Sequence, residues 1–237
     1  MSNNQQHNRH AFAGYTIGIL APNLDYEKVV GNVANANTFD FPVLYEIVDL
    51  EIEALFEGDE ALTERIVAAA KKLEAAGVRA IVGACGFFAN FQNVLKENVD
   101  IPVFTSSLLQ VPLIESALGA DQKIAIFAAN GENIATTLKA VGNTNLDRYI
   151  LVDVTQLAEF APIRYGIEPL DSHALEVALA DLAKETVEED PSIGAVLLEC
   201  SDLPPYAKAV QEKTGLGVFD FNTLINFVHQ TVEQKRY

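Results

Sequence analysis

The chain has 237 residues, enough for one large domain or two small ones, and almost half are hydrophobic, so a sizeable core can form. Its formal net charge of -17 repels nucleic-acid phosphates and acidic lipid headgroups, and its 16 Lys and Arg are scattered rather than gathered into a basic stripe. No apolar run approaches a membrane span, and residues 1–12, polar and holding His7 and His10, lack a signal peptide's apolar core; the expectation is a soluble cytoplasmic protein without nucleic-acid or membrane partners.

Short apolar runs alternate with helical stretches, the pattern of a mostly parallel sheet covered by helices. The first strand is expected at 16–20 and the second at 43–48. The acidic stretch 46–60 reads as solvated surface, as does 185–190. Residues 61–76 form a helix with Leu62, Ile66, Ala70 and Leu73 on one face, ended by Gly77. A strand at 80–84 runs into Cys85, followed by a short helix at 91–98 and a strand at 101–104. Strands follow at 123–127 and 149–154. Asp171 and Ser172 can cap a helix carrying Leu175, Leu179 and Leu182. A strand at 195–199 runs into Cys200, Pro204 and Pro205 open a helix to about Lys213, and a strand at 216–219 precedes a closing helix with Leu224, Phe227 and Val228.

The second half repeats the first. AIVGACGFFANFQNVLKENVDIPVF (80–104) aligns without a gap on AVLLECSDLPPYAKAVQEKTGLGVF (195–219), at an offset of 115 that superimposes Cys85 on Cys200. The opening strands match too, IGILAPN (17–23) against IAIFAAN (124–130), so each half places an Asn, Asn23 or Asn130, just past its first strand. Chance similarity of generic βα units explains apolar matches easily and paired lone cysteines poorly.

In open α/β sheets, ligands bind beyond the carboxyl ends of the strands, where both cysteines and both asparagines fall. If the halves face each other, Cys85 and Cys200 line one cleft from opposite walls. Backbone N–H groups and the helix that follows are expected to stabilise a thiolate there, making a base near neutral pH. One thiol could then remove a proton from carbon while the other returns one to the opposite face. Gly86, Ser106, Ser107, Asn130, Gly131 and Ser201 are candidate donors for the developing enolate-like charge. The bland alternative is two buried core cysteines. His173 and His229 read as structural or exposed. Arg148 and Arg164 could neutralise a carboxylate, although nothing in the sequence brings them to the cleft. Without a CxxC pair, a His cluster, a Walker A loop or a GxGxxG turn, neither metal nor nucleotide cofactor is expected.

Several segments resemble the aspartate/glutamate racemase superfamily: GNVANANTFDFPVLYEIV (31–48), ACGFFANFQ (84–92), VFTSSLLQVPL (103–113), LLECSDLPPYAKAV (197–210) and TGLGVFDFNTLINFVH (214–229). The set looks nearest to bacterial proteins named simply for that family. The resemblance implies two pseudo-symmetric Rossmann-like α/β domains with parallel sheets, an active site in the interdomain cleft, a homodimer or higher homo-oligomer, and catalysis without pyridoxal phosphate or metal. It divides the chain into a disordered polar tail (1–12), a first domain with Cys85 (13–107), a second with Cys200 (108–220), and a C-terminal helix packing on the first domain (221–237). Cys85 and Cys200 would be the acid/base pair. Asn23 falls where glutamate racemases keep an Asp, and Asn130 and Gly131 match a substrate-holding loop. Thr105, Ser106 and Ser107 join the substrate-binding set from the third segment. Gly86-Phe87 replaces the Asn-Thr that follows the first cysteine in glutamate racemases, and Ser201-Asp202 replaces their Thr-His. The polar grip near Cys85 is thereby reduced in favour of an aromatic wall. The expected function is a cofactor-independent racemase of an amino acid or related 2-substituted carboxylate. The alternative is a cysteine-dependent lyase that removes the proton α to a carboxylate and eliminates a β-substituent, as dimethylsulfoniopropionate lyases do. A decarboxylase or isomerase of the same superfamily, and a non-catalytic binding protein, are further alternatives.

Overall fold

A computed structural model describes residues 13–166 and 169–237, so the polar tail expected at 1–12 lies outside the described residues. Two four-stranded sheets carry the fold, with all strand pairs parallel. The first holds β1 (Ile17–Pro22), β2 (Val43–Val48), β3 (Ala80–Gly83) and β4 (Val103–Phe104) in the order β2-β1-β3-β4. The second holds β5 (Lys123–Ala128), β6 (Tyr149–Asp153), β7 (Ile193–Leu198) and β8 (Gly217–Phe219) in the order β6-β5-β7-β8. The repeat extends to the hydrogen-bond register: Ile17 pairs with Ala80 as Ile124 pairs with Ala195, and Ile81 pairs with Val103 as Val196 pairs with Val218. The two halves thus agree in strand order and in pairing register as well as in sequence. The central strands are covered on both faces, which is why they read as continuous apolar runs.

Helices α1 (Ile52–Glu57), α2 (Thr63–Ala75), α3 (Gln92–Asn98), α4 (Val111–Ala117), α5 (Ile134–Ala140), α6 (Ala161–Tyr165), α7 (Ser172–Glu189), α8 (Ala207–Thr214) and α9 (Phe221–Val232) connect and cover the strands. The face that α2 buries is Ile66, Ala69, Ala70 and Leu73. Gly77 follows it at φ 92°, a left-handed turn that a side chain would strain. Asp171 caps α7 by accepting a hydrogen bond from the Ala174 N–H at 3.0 Å. The helical turn expected at 91–98 starts earlier, because a 3-10 segment (Gly86–Phe91) leads into α3. Four helices, α1, α4, α5 and α6, were not expected. Each has only five to seven residues, less than two turns over which a helical period can be read.

Packing brings the two halves into contact along one core. Leu20 and Ile81 of the first sheet share a buried cluster with Ile124, Ile126 and Leu197 of the second. On the far face of the second sheet, α7 and α8 bury Leu175, Leu179 and Val210 against Phe127, Val196 and Leu198. From β8 the chain returns to the first sheet, where α9 sets Phe221, Leu224, Ile225 and Val228 against Ile17, Ile19, Ala80 and Val82. Its start is fixed by a capping box: Asp220 accepts from the Thr223 N–H at 2.7 Å, and the Thr223 hydroxyl accepts from the Asp220 N–H at 2.9 Å. Among the described residues, no helix is long and apolar enough to cross a membrane.

Candidate active site

The carboxyl ends of β1, β3, β5 and β7 converge on one cleft between the halves. Its floor is Ala84 and Cys85 from the first half, with Ala129, Cys200, Ser201 and Asp202 from the second. Leu24, Tyr26, Ile52, Phe56, Phe160 and Ile163 form its walls, and Arg164 stands at the rim. The two cysteines are free thiols, Cys85 partly exposed and Cys200 buried.

Cys200 has a carboxylate partner: its Sγ donates to Asp202 Oδ2 at 3.4 Å. Asp202 is held from the first half as well, where the Tyr26 hydroxyl donates to Oδ1 at 2.6 Å and the Asn32 amide donates to the same oxygen. Burial pushes the Asp202 carboxyl up, and the Tyr26, Cys200 and Asn32 donors oppose that shift. Burial, and then the charges of Asp202 and Glu199, push the Cys200 thiol well above its ordinary value. Burial, followed by Glu199, does the same to Cys85, against the Phe87 N–H. The sequence pointed the other way, to thiols made acidic by neighbouring dipoles. Those dipoles are present, but enclosure and two acidic neighbours outweigh them. Both sulfurs are therefore thiols in the free cleft at neutral pH, and a base must be generated as the substrate reacts.

Behind the floor lies Glu199, the last residue before Cys200. It is wholly buried, and neither carboxyl oxygen makes a hydrogen bond of good geometry. A Cβ placed on Gly86 would lie 1.8 Å from Glu199 Oε1, so only glycine fits after Cys85. Burial pushes the Glu199 carboxyl up to about 8; the Ala129 N–H opposes the shift and the Asp202 charge adds to it.

The floor is stitched across the two halves. The Ser201 hydroxyl donates to Ala84 O at 2.9 Å, and the Val33 N–H donates to Ser201 O at 3.2 Å. The Ser107 hydroxyl lies 3.2 Å from both Leu198 O and Glu199 O. At the mouth, Arg164 Nη2 pairs with Glu53 Oε1 of α1 at 2.7 Å, and its guanidinium lies 5.1 Å from the Phe56 ring centroid. Among the described residues no group of three or more His, Cys, Asp or Glu side chains could hold a metal ion.

No protein-family model matches the chain. Dimethylsulfoniopropionate lyase 7 of Emiliania huxleyi is 32% identical over 235 residues, covering 94% of this chain and 69% of the relative. The dimethylsulfoniopropionate lyase of Durusdinium sp. clade D is 33% identical over 215 residues, covering 86% and 71%. The chain spans a smaller share, 58%, of lyase 3 of Emiliania huxleyi. Among solved structures, a variant of arylmalonate decarboxylase matches with a TM-score of 0.63 at 19% identity, covering 93% of this chain and 94% of the other. An aspartate racemase homologue from Pyrococcus horikoshii matches with a TM-score of 0.57 at 17% identity, covering 90% and 98%. At such identities these structures show the shared fold. The chain belongs to the dimethylsulfoniopropionate lyase family.

For a member of the dimethylsulfoniopropionate lyase family, the sequence located the floor better than the walls. Cys85, Cys200, Ser201 and Asp202 come together at the cleft. Asn23 does not: it is exposed, and its N–H is taken by Val48 O. Phe87 turns into the core against Phe56, with ring centroids 4.6 Å apart, so the aromatic wall near Cys85 is built by Phe56 instead. Thr105 is buried and bonded to Gln92, and Ser106 caps the turn before α4. Ser107 and Gly86 support the floor from behind. The Asn130 side chain accepts from the Asn133 N–H, and Gly131 lies against Asp153. Of the two arginines, Arg164 reaches the cleft, while Arg148 bonds to Gly119 O. Sequence reasoning missed Tyr26, Asn32, Phe56, Phe160 and Glu199. Asn32 lies inside the resembling segment 31–48, and Glu199 stood in plain view as an acid ending an apolar strand.

Proposed function

We propose that the protein is a cysteine-dependent lyase acting on a carboxylate with a β-sulfonium substituent, the dimethylsulfoniopropionate class. The names of its relatives move the balance from racemisation to elimination, and the site supplies a physical reason. The observation that carries the reading is the asymmetry of the two thiols: Cys200 hydrogen-bonds to a carboxylate and Cys85 does not. A racemase needs two equivalent proton carriers, whereas an elimination needs one base.

In this reading the Cys200 proton passes to Asp202 as the sulfur takes the proton α to the substrate carboxylate. The C–H electron pair becomes the carbon–carbon double bond. The β-carbon–sulfur bond breaks, and its pair leaves on sulfur as a neutral dialkyl sulfide. Acrylate remains, and Asp202 passes its proton to solvent, so the net products are sulfide, acrylate and one proton. The rings of Tyr26, Phe56 and Phe160 line the cleft that would receive the sulfonium, and Asp202 brings a carboxylate to the same cleft. Arg164 takes the substrate carboxylate in place of Glu53, stabilising the charge that accumulates as the α-proton leaves.

The test is to incubate the purified protein with dimethylsulfoniopropionate and to follow dimethyl sulfide and acrylate, alongside the enantiomers of aspartate, glutamate and substituted hydantoins scored for loss of optical rotation. Equimolar sulfide and acrylate are expected, with no interconversion of enantiomers. Racemisation without release of sulfide would restore the first sequence reading and sink this one. Arg164→Gln should weaken substrate binding and raise KM at least tenfold, because a charge-assisted hydrogen bond contributes about 1.5–3 kcal/mol. An unchanged KM would show that the carboxylate is held elsewhere.

A further inference from the structure

We propose that Glu199 is a positioning residue that governs the charge on the cysteine pair: uncharged, it permits proton transfer through the floor, and ionised, it blocks it. The role follows from its place. The side chain is wholly enclosed, its oxygens lack well-formed partners, and it is wedged between the two cysteine-bearing turns. One carboxyl oxygen presses on Gly86, next to Cys85, and the backbone continues directly into Cys200. The Ser107 hydroxyl, 3.2 Å from the Glu199 carbonyl oxygen, ties the backbone at this position to the first half. A buried acid without partners is a costly feature, and a purely structural position would be filled more stably by an apolar side chain.

The titratable groups coupled to it are Cys85 from the turn after β3, and Cys200 and Asp202 from its own segment; from β5 and the residue after it come backbone groups, the Phe127 O that accepts from the Glu199 N–H at 2.8 Å and the Ala129 N–H at the carboxyl. A negative charge at Glu199 opposes a thiolate at either cysteine, and burial keeps that charge from forming at neutral pH. As pH rises through about 8 the carboxyl ionises. The cysteines then become harder to deprotonate just where a free thiol would become easier. Glu199 thus imposes an alkaline limit on a cysteine enzyme.

This inference assumes cysteine chemistry as in the preceding section, but one arm of its test needs no substrate. The first measurement is the rate of iodoacetamide alkylation of Cys85 and Cys200 against pH, read for each cysteine by mass spectrometry. In the unmodified protein the rise with pH should flatten above about 8, the point at which Glu199 ionises. In Glu199→Gln, and in the uncharged Glu199→Leu, the rate should keep rising tenfold per pH unit. By pH 9.5 both variants should exceed the parent at least tenfold. The second measurement is kcat/KM for sulfide release, which should fall above pH 8 in the parent and lose that falling limb in Glu199→Gln. An alkylation curve that rises without a break in the unmodified protein overturns the proposal, whether or not the variants fold. Superimposable curves for parent and Gln variant overturn it as well. If alkylation behaves as expected but no sulfide is released, the function in the preceding section fails and the role of Glu199 stands.

Discussion

Cys200→Ser should lower the rate of sulfide release by about 10²–10⁴, the usual loss when a positioned proton-transfer group is removed. A serine hydroxyl fits the same space and can keep the hydrogen bond to Asp202, which Cys200 makes at 3.4 Å, so binding should survive while the base is lost. The effect belongs in kcat rather than KM. Cys85→Ser should be milder, because that sulfur has no carboxylate acceptor. The discriminating readout is deuterium incorporation from solvent at the α-carbon of a substrate analogue that lacks a leaving group. Exchange should persist in Cys85→Ser and vanish in Cys200→Ser. Equal loss in both variants would mean that the sulfurs share the work, as in a two-base racemase. Full activity in both would return the matched cysteines to the status of core residues.

Glu199→Gln should make the protein more stable at pH 7, by roughly 3–4 kcal/mol. The sign follows from where the carboxyl titrates. In the fold it sits near 8, and in the unfolded chain near 4.5. Below pH 4.5 both states are protonated, and Glu199 carries no penalty. Between 4.5 and 8 the unfolded chain releases a proton that the folded chain retains, so stability is lost steadily as pH rises. At pH 7 the loss is about 2.5 units at roughly 1.4 kcal/mol each. Glutamine, which cannot ionise, escapes it. Urea unfolding at pH 4 and pH 7 should therefore show little difference between parent and variant at the lower pH and a clear gain for the variant at the higher. A variant weaker than the parent, and more so at pH 7 than at pH 4, would mean that Glu199 is ionised and satisfied in the folded protein.

The doubled α/β scaffold was legible because burial on both faces leaves an unmistakable signature: IGIL, AIVG, IAIF and AVLL are apolar without interruption. The site was legible only where it lay at the ends of those strands. Cys85, Cys200, Ser201 and Asp202 follow β3 or β7 directly, so locating the strands located them. Tyr26 lies in the loop after β1, where no period constrains direction. Phe56 and Arg164 ride on α1 and α6, too short to show a helical face. The acidic stretch 46–60 hid α1 further, since its charges read as solvent-facing while Ile52 and Phe56 turn into the cleft. The misplaced aromatic wall has the same origin: Phe87 adjoins Cys85 in sequence, but its turn carries it into the core. The signal at Glu199 was missed for another reason. A carboxylate that ends an apolar strand ordinarily reaches solvent, and only the close approach of Gly86 shows that this one does not.

The hydrogen bonds from Ser201 to Ala84 and from Val33 to Ser201 bind one half's chemistry to the other half's backbone. Such a floor divides the labour between heritable changes. Substitutions at Phe56 on α1, Phe160 just before α6 or Arg164 on α6 can redraw what the mouth admits without altering the relation of the two sulfurs. Substitutions among the stitches disturb every reaction alike. The rim is thus open to change while the floor, held by both halves at once, is constrained from two directions.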